Sequence, residues 1–106
     1  MAKLELRPNC ELCGKDLPPR SSDARICTYE CTYCSDCAER VLRNVCINCG
    51  GNLERRPIRP LRNWREGENT GLRNHPPSEK HVTTPYSRDE IARHMARLEK
   101  ILPEDR

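Results

Sequence analysis

The sequence has few aromatic side chains and no long apolar segment. Its 106 residues contain no Phe, one Trp (Trp64) and three Tyr, and aromatic residues make up 4% of the chain. Hydrophobic residues make up 35%, a figure that includes eight cysteines. A chain of this length holds one small domain and a tail rather than two conventional hydrophobic cores. We therefore expect support other than apolar packing, and the size argues against a large enzyme scaffold.

No apolar run approaches the roughly 18 residues of a membrane-spanning helix, so the sequence predicts a soluble protein without a membrane partner. The first nine residues mix charges with isolated leucines and lack the continuous apolar segment of a secretory signal. We therefore expect a cytoplasmic location. Because the cytosol is reducing, the cysteines there favour thiolate metal ligands over disulfides; an undetected export route would restore the disulfide alternative.

The eight cysteines occur as four close pairs in the first half of the chain. The pairs are Cys10 and Cys13, Cys27 and Cys31, Cys34 and Cys37, and Cys46 and Cys49. Tetrahedral zinc takes four ligands, and a C-x2-C turn directs two sulfurs at one ion. Four pairs therefore predict two sites of four cysteines that hold two Zn²⁺ ions. Iron in sulfur coordination is a chemically possible alternative.

The residues next to the cysteines differ between the pairs. Gly14 and Gly50 follow the first and fourth pairs directly. A glycine there allows the sharp turn that points backbone N–H groups at sulfur. The third pair instead opens a predicted helix over 37–45, whose N-terminus adds positive potential beside the thiolates. A short strand is predicted over 24–29, where Ile, Thr and Tyr favour a pleated surface.

The order of these parts resembles the RING-type zinc domain in an all-cysteine form. The resemblance covers residues 10–49. It implies a cross-brace, in which the first and third cysteine pairs share one ion and the second and fourth pairs share the other. Ligand counting alone leaves open a sequential arrangement, in which neighbouring pairs share an ion and close shorter loops.

The beginning of the chain also resembles a small bacterial cysteine-rich family of unknown function. The resemblance rests on the opening run Leu-Glu-Leu-Arg-Pro-Asn-Cys, with Asp-Leu-Pro-Pro and Asp-Ala-Arg-Ile-Cys further along. It covers about the first 57 residues and implies no activity.

Composition divides the chain into three parts. We predict a two-zinc RING-like domain over 1–53, an Arg/Pro-rich flexible linker over 54–86 and an amphipathic helix over 87–103. The fold class is a small, metal-dominated α+β domain with short strands and one helix, followed by the C-terminal helix.

The C-terminal helix is predicted at about 88–102. Ser87 and Glu90 fit a capping box, and one face of the helix carries a narrow apolar stripe of Ile91, Met95, Leu98 and Leu102. An isolated helix of this length is marginal in water, so the stripe should pack on something. The alternatives are the cysteine domain of the same chain or a second copy, which would make a homo-oligomer.

No residue pattern indicates an enzyme. Four cysteines would fill each site, no His or carboxylate replaces a cysteine in the ligand pattern, and His75, His81 and His94 all lie outside it. We therefore expect structural zinc rather than catalytic zinc. The predicted function is a non-catalytic protein-interaction module that contacts a protein partner through Leu12, Leu17 and the outer face of helix 37–45.

Two alternative functions remain open. The first is a ubiquitin-ligase-like scaffold, which the RING resemblance implies because Leu12 lies between the first two ligands; Ile47, however, replaces the proline usual in the last turn. The second is nucleic-acid binding through Arg55–Arg65, where arginines surround Trp64. The competing interpretation of that segment is a solvated linker in which Trp64 folds back over the zinc domain.

Overall fold

A computed structural model describes residues 3–106 and contains a three-stranded antiparallel sheet, one main helix and several irregular segments. The strands are β1 (Ala24–Ile26), β2 (Thr32–Cys34) and β3 (Glu54–Arg55), in the order β2-β1-β3. In the centre of the sheet Arg25 pairs with Tyr33 on one side and with Arg55 on the other. This small α+β domain with short strands confirms the predicted fold class.

Strand β1 is shorter than the strand predicted over 24–29. After Ile26 the backbone reverses: the amide of Cys27 donates to the carbonyl oxygen of Cys31 at 3.2 Å, and Glu30 has a positive φ of 71°. Both sulfurs of the second cysteine pair have to point in the same direction. The turn orients them in this way, and the strand is shorter as a result. The remaining residues of the predicted strand therefore belong to a ligand turn.

The helix predicted over 37–45 is a single wide turn, Cys37–Val41. The amide of Leu42 donates to the carbonyl oxygen of Cys37 at 2.8 Å, the i+5 spacing of a π-helix. Arg43 and Asn44 then adopt positive φ angles of 48° and 64°, which end the turn. The predicted helix was therefore too long.

The C-terminal helix, α1, spans Arg88–Leu98. Its capping box is confirmed, with the Ser87 hydroxyl accepting from the Glu90 amide at 3.2 Å and the Glu90 carboxylate accepting from the Ser87 amide at 3.0 Å. The helix ends short of the predicted residue 102, and a 3₁₀ turn follows at Pro103–Asp105. Leu102 precedes a proline and has an extended ψ of 141°, because such a residue is disfavoured in the helical region.

Helix α1 packs on the cysteine domain of its own chain. Ile91 is 3% exposed and belongs to the same buried cluster as the cysteines. Glu99, just beyond the helix, forms an ion pair with Arg43 at 3.2 Å. Leu102, the last residue of the predicted stripe, is exposed. The first part of the stripe is therefore used within the chain and is not free for a second copy.

The segment 54–86 is irregular apart from β3, but it contacts the amino-terminal part of the chain. The Arg59 side chain donates to the carbonyl oxygen of Leu4, and the amide of Ser78 donates to the carbonyl oxygen of Leu6 at 2.9 Å. The division into 1–53, 54–86 and 87–103, and the flexibility of the middle part, stay predictions. A test of these predictions has to account for the contacts between residues 54–86 and the amino-terminal part of the chain.

Six of the sixteen buried hydrophobic residues are cysteines. Tyr33 is the one buried aromatic side chain among the described residues. The core also contains the following aliphatic residues: Leu6, Leu17, Ala24, Ala38, Leu42, Val45, Ile47, Leu53 and Ile91. Apolar area of this size gives limited stabilisation in a small domain. As the composition indicated, the fold needs further support, and the sulfur groups lie where that support would act.

Candidate metal centres

The sulfurs of the first and third cysteine pairs meet in one group. Those of Cys10, Cys13, Cys34 and Cys37 all lie within 4.8 Å of one another. The Sγ atoms of Cys13 and Cys34, which belong to different pairs, are 3.7 Å apart. We call these four residues the first cysteine group. Four sulfurs at this spacing could hold one metal ion.

The second and fourth pairs form the second cysteine group. The sulfurs of Cys27, Cys31 and Cys46 lie within 4.8 Å of one another. Burial, and after it the neighbouring Cys27, raises the pKa of the Cys49 thiol, so Cys49 lies beside this group, although its sulfur is not within 4.8 Å of all three. The grouping is therefore interleaved along the chain, as the cross-brace implies, and the sequential arrangement is not what the structure shows.

Tight backbone turns orient these sulfurs. In the two glycine turns, the amide of Gly14 donates to the carbonyl oxygen of Cys10 at 2.9 Å and that of Gly50 to Cys46 at 3.0 Å. Both glycines have positive φ angles, 83° and 78°, which residues with a side chain rarely adopt. The turn predicted from the glycines is confirmed at both places.

Backbone amides also point at sulfur in both groups. Cys13 N–H lies 3.4 Å from the sulfur of Cys10, Tyr29 N–H lies 3.3 Å from that of Cys27, and Gly51 N–H lies 3.4 Å from that of Cys49. Such donors stabilise negative charge on a thiolate and hold its orientation. The turns are therefore built for ionised sulfur.

The thiols of each group change one another's acidity. Contact with Cys46, followed by burial, raises the pKa of Cys31. Burial, followed by contact with Cys34, raises the pKa of Cys37. For Cys13 burial acts in the same direction, but donation from the backbone amide of Lys15 and from neighbouring thiols lowers the pKa overall. Crowded sulfurs resist ionisation together, and a divalent cation between them would remove that cost.

Two polar side chains contact the second group from outside. The hydroxyl of Tyr33, fully buried, lies 3.5 Å from the sulfur of Cys46, and the Asn48 amide donates to the sulfur of Cys31 at 3.3 Å. The sequence prediction missed both. Asn48 lies between two ligands and could have been considered, whereas Tyr33 gave only a strand signal.

An ion pair braces the first group. The carboxylate of Asp23 accepts hydrogen bonds from Lys15, which follows the first pair, and from Ser35, which lies inside the third pair. These contacts, the one from Lys15 first, lower the pKa of Asp23 to about 2. The carboxylate therefore joins the two turns whose sulfurs meet.

The described residues that form the two groups include no histidine. His94 lies on α1, and its Nε2 faces the carbonyl oxygen of Cys46 rather than a sulfur. His75 faces the carbonyl oxygen of Asn69. That the histidines are not metal ligands stays a prediction.

The fold and its two sulfur groups define a small cysteine-rich domain with two potential metal centres. The family model described as "Protein of unknown function (DUF1272)" matches residues 3–59, more than half of the chain, and the chain belongs to this family. This confirms the predicted bacterial family of unknown function. All eight cysteines lie inside the match, and α1 lies outside it.

A relative supports this assignment. The chain is 65% identical over 57 residues to "Uncharacterized protein R02474" of Rhizobium meliloti (strain 1021), which covers 54% of this chain and 68% of that protein. No solved structure matches the chain. Within residues 3–106, none of the helices has the length and apolar character required to cross a membrane.

Proposed function

We propose that the chain is a structural zinc domain that holds two Zn²⁺ ions in a RING-like cross-brace. The interleaved grouping of the cysteines, four in the first group and three in the second with Cys49 beside them, carries the proposal. Zinc accepts four thiolates in tetrahedral geometry, and structural sites of this kind contribute directly to folding. Each ion would join distant parts of the chain, which suits a domain with little apolar core.

The proposed role is non-catalytic. A catalytic zinc keeps one position open for water, whereas four cysteines fill the tetrahedral shell. The groups found among the described residues contain no carboxylate or imidazole that would replace a sulfur. The metals would therefore hold the fold together, and function would lie on the surface that they shape.

A protein partner is the proposed target of that surface. Leu17, one residue expected to contact it, is 1% exposed and belongs to the core, so this part of the expectation was wrong. Tyr29 is instead 72% exposed at the tip of the second ligand turn. Tyrosine combines a large apolar ring with a polar end and is enriched at protein interfaces. The second ligand turn is therefore the proposed contact.

A ubiquitin-ligase-like role has less support. Ile47, in the last ligand turn, is 5% exposed. It lines a cleft together with Ile91 and His94 of α1. While α1 is docked, this position is not available to another protein, so we favour a simpler interaction module.

Metal analysis of the full chain, purified under reducing conditions, tests the proposal. Two zinc ions per chain are expected, with loss of the folded circular-dichroism signal in a strong chelator. Cys13→Ser and Cys49→Ser, which remove one exposed cysteine from each group, act as reciprocal controls and should each lose about one ion. A metal-free protein whose fold survives the chelator would contradict the proposal.

Site-specific crosslinking tests the protein partner. A photoreactive phenylalanine analogue at Tyr29 should crosslink to a protein when zinc is bound and lose the crosslink after chelation. The same group at Arg93, an exposed position on α1, is the matched control and should give no such product. Equal crosslinking at both positions, or none at position 29, would reject the second ligand turn as the contact.

A further inference from the structure

Residues 60–75 form a closed loop whose base is fixed by hydrogen bonds; we call it the Trp64 loop. The amide of Leu72 donates to the carbonyl oxygen of Pro60 at 2.9 Å, and the Arg59 guanidinium donates to that of His75 at 2.7 Å. Both sides of the loop are therefore held together where it leaves the domain.

The side chain of Asn63 organises the interior of this loop. Its amide nitrogen donates to the carbonyl oxygens of Arg65 at 3.1 Å and Glu68 at 2.8 Å. Its oxygen accepts from the hydroxyl of Thr70 at 2.7 Å and from the amide of the same residue at 3.2 Å. One side chain thus ties both halves of the loop together beside Trp64.

Gly71 permits this closure. It has a positive φ of 95°, and a Cβ atom at this position would lie 2.7 Å from the backbone carbon of Arg62 and 2.9 Å from the carbonyl oxygen of Leu61. A side chain cannot occupy that space, because the opposing atoms are backbone. The two sides of the loop therefore cross in close contact, and the conformation around Trp64 is defined rather than extended.

Trp64 does not cover the zinc domain, contrary to the folded-back alternative. It is 77% exposed. An exposed indole costs hydrophobic free energy, and a loop organised around its neighbour Asn63 presents it to solvent. A large flat ring held in this way offers a stacking surface.

The loop that contains Trp64 also contains arginine side chains without an acidic partner among the described residues. The side chains of Arg62, Arg65 and Arg73 have no ion pair and no hydrogen bond with the described part of the chain. In the cysteine domain, by contrast, Arg7 and Arg43 pair with carboxylates. The arginines of the loop are therefore free to meet a ligand.

The formal positive excess of the chain lies in residues 54–75; within them the loop itself, 60–75, has three arginines and two glutamates, a net charge of +1. Residues 54–75 contain six arginines and three glutamates, a net charge of +3. Residues 1–53 have seven basic and seven acidic side chains, and 76–106 have six of each. The whole formal excess of +3 thus lies in the segment that contains the loop, which favours an anionic partner.

We propose that the Trp64 loop binds single-stranded nucleic acid. A base would stack on the indole of Trp64, while the guanidinium groups of Arg62, Arg65 and Arg73 meet phosphates of the same strand. Exposed aromatic rings among cations bind single strands without strong sequence preference, because every base has a flat face. In a duplex those faces are covered, so a single strand fits the loop better. This activity is separate from the proposed protein contact at Tyr29.

Trp64 is the only tryptophan of the chain, so its fluorescence reports directly on binding at the loop. We expect a single-stranded DNA or RNA 12-mer of mixed sequence to quench and shift the fluorescence of Trp64 in a saturable manner, with the metal-loaded full chain as the sample. Three phosphate contacts predict a slope of about −2 for the logarithm of the binding constant against that of salt concentration. Separate DNA and RNA titrations show which sugar is preferred.

Variants separate stacking from charge. In fluorescence anisotropy with a labelled 12-mer, Trp64→Ala should weaken binding about 5- to 150-fold, the range for loss of one stacked base. Replacing Arg62 and Arg65 by Ala should reduce the salt slope to about one-third. Tyr29→Ala and Arg93→Ala, an exposed aromatic and an exposed arginine elsewhere, are the matched controls and should bind normally.

Metal content and circular dichroism of each variant must match the parent, so that loss of binding is not loss of fold. The proposal is overturned if the oligonucleotide binds without changing Trp64 fluorescence, or if Trp64→Ala binds as tightly as the parent. A duplex that competes as well as the single strand also overturns it, as does the absence of binding to either 12-mer at low salt.

Discussion

The imidazole Nε2 of His94 lies 2.9 Å from the backbone carbonyl oxygen of Cys46. Because a carbonyl oxygen only accepts, this nitrogen carries the proton. The same glycine turn is contacted by Leu98 and by Arg106, whose guanidinium donates to the carbonyl oxygen of Gly50 at 3.0 Å. The C-terminal region, which lies outside the family match, therefore holds the last ligand turn of the second cysteine group.

The two glycine turns give a matched pair of substitutions. Gly50→Ala places a methyl group 2.8 Å from the Cδ1 atom of Leu98, whereas Gly14→Ala meets no atom within 4 Å. Both replacements pay a similar backbone cost of roughly 1–2 kcal/mol, because both glycines have positive φ. We expect Gly50→Ala to lower the thermal midpoint of the metal-loaded protein more than Gly14→Ala does.

A second substitution shows whether the extra loss comes from α1. Adding Leu98→Ala should recover part of the stability lost in Gly50→Ala, and it should recover none in Gly14→Ala. Thermal unfolding of the parent, the three single variants and the two double variants measures both coupling energies. Equal losses in the two single glycine variants would mean that α1 does not press on the turn.

Arg56 provides a second matched pair. It is 1% exposed, and its guanidinium donates to the carbonyl oxygens of Arg7 at 2.9 Å, Leu17 at 3.0 Å and Pro18 at 3.2 Å. Arg56→Ala would leave these acceptors without a partner in a buried place, at a cost of about 3 kcal/mol. Arg55→Ala changes an exposed neighbour and should stay within about 0.5 kcal/mol.

Denaturant unfolding of the metal-loaded variants measures this difference as a change in midpoint. Arg56→Lys adds a test of geometry, because an ammonium group cannot span three separate carbonyl oxygens as a planar guanidinium does. It should fall between the parent and Arg56→Ala. An alanine variant as stable as the parent would show that the buried contacts contribute nothing.

Local signals in the sequence were informative where the structure is set locally. The cysteine spacing with Gly14 and Gly50 identified both ligand turns, and Ser87 with Glu90 located the start of α1. Each of these signals depends on residues within about four positions of one another. The grouping of the pairs was not of this kind, and it came from the resemblance to a known class of zinc domain.

Contacts between distant parts of the chain were not predictable in this way. Arg56 lies in a run of arginines, and the sequence predicts that all of them are exposed. Arg56 nevertheless fills a buried site formed by residues near positions 7 and 17. One interpretation of the sequence had Trp64 folded back over the domain, but Trp64 is exposed on a loop that the hydrogen bonds of Asn63 hold together. Neither outcome leaves a periodic pattern in the sequence.

Asn9 connects the first ligand turn to the C-terminal part of the chain. Its side chain donates to the carbonyl oxygen of Val82 at 2.9 Å and accepts from the amide of the same residue at 3.2 Å, much as a neighbouring strand would. Asn9→Ala should therefore increase amide exchange at Val82 by about tenfold, the equivalent of roughly 1.4 kcal/mol of lost protection. Amides of β1 should be unaffected. Unchanged exchange at Val82 would show that other contacts hold the segment.

Metal uptake should depend steeply on pH. The pKa values of Cys31, Cys34, Cys37 and Cys49 are raised, by contact with Cys46 first for Cys31 and by burial first for the others. Without metal these thiols keep their protons at neutral pH, and zinc has to displace them. Each displaced proton changes the apparent affinity tenfold per pH unit, so binding strengthens as pH rises and weakens as it falls.

Competition with a chromogenic chelator, from about pH 8 to about pH 6, measures this dependence. A plot of the logarithm of the zinc affinity against pH should rise with a slope above one, because several thiols in each group release protons together. Cys49→Ser removes one raised thiol from the second group and should reduce the slope measured for that site. A flat plot would mean that the sulfurs are already ionised in the metal-free fold, and the crowding of thiols inferred from their contacts would then be wrong.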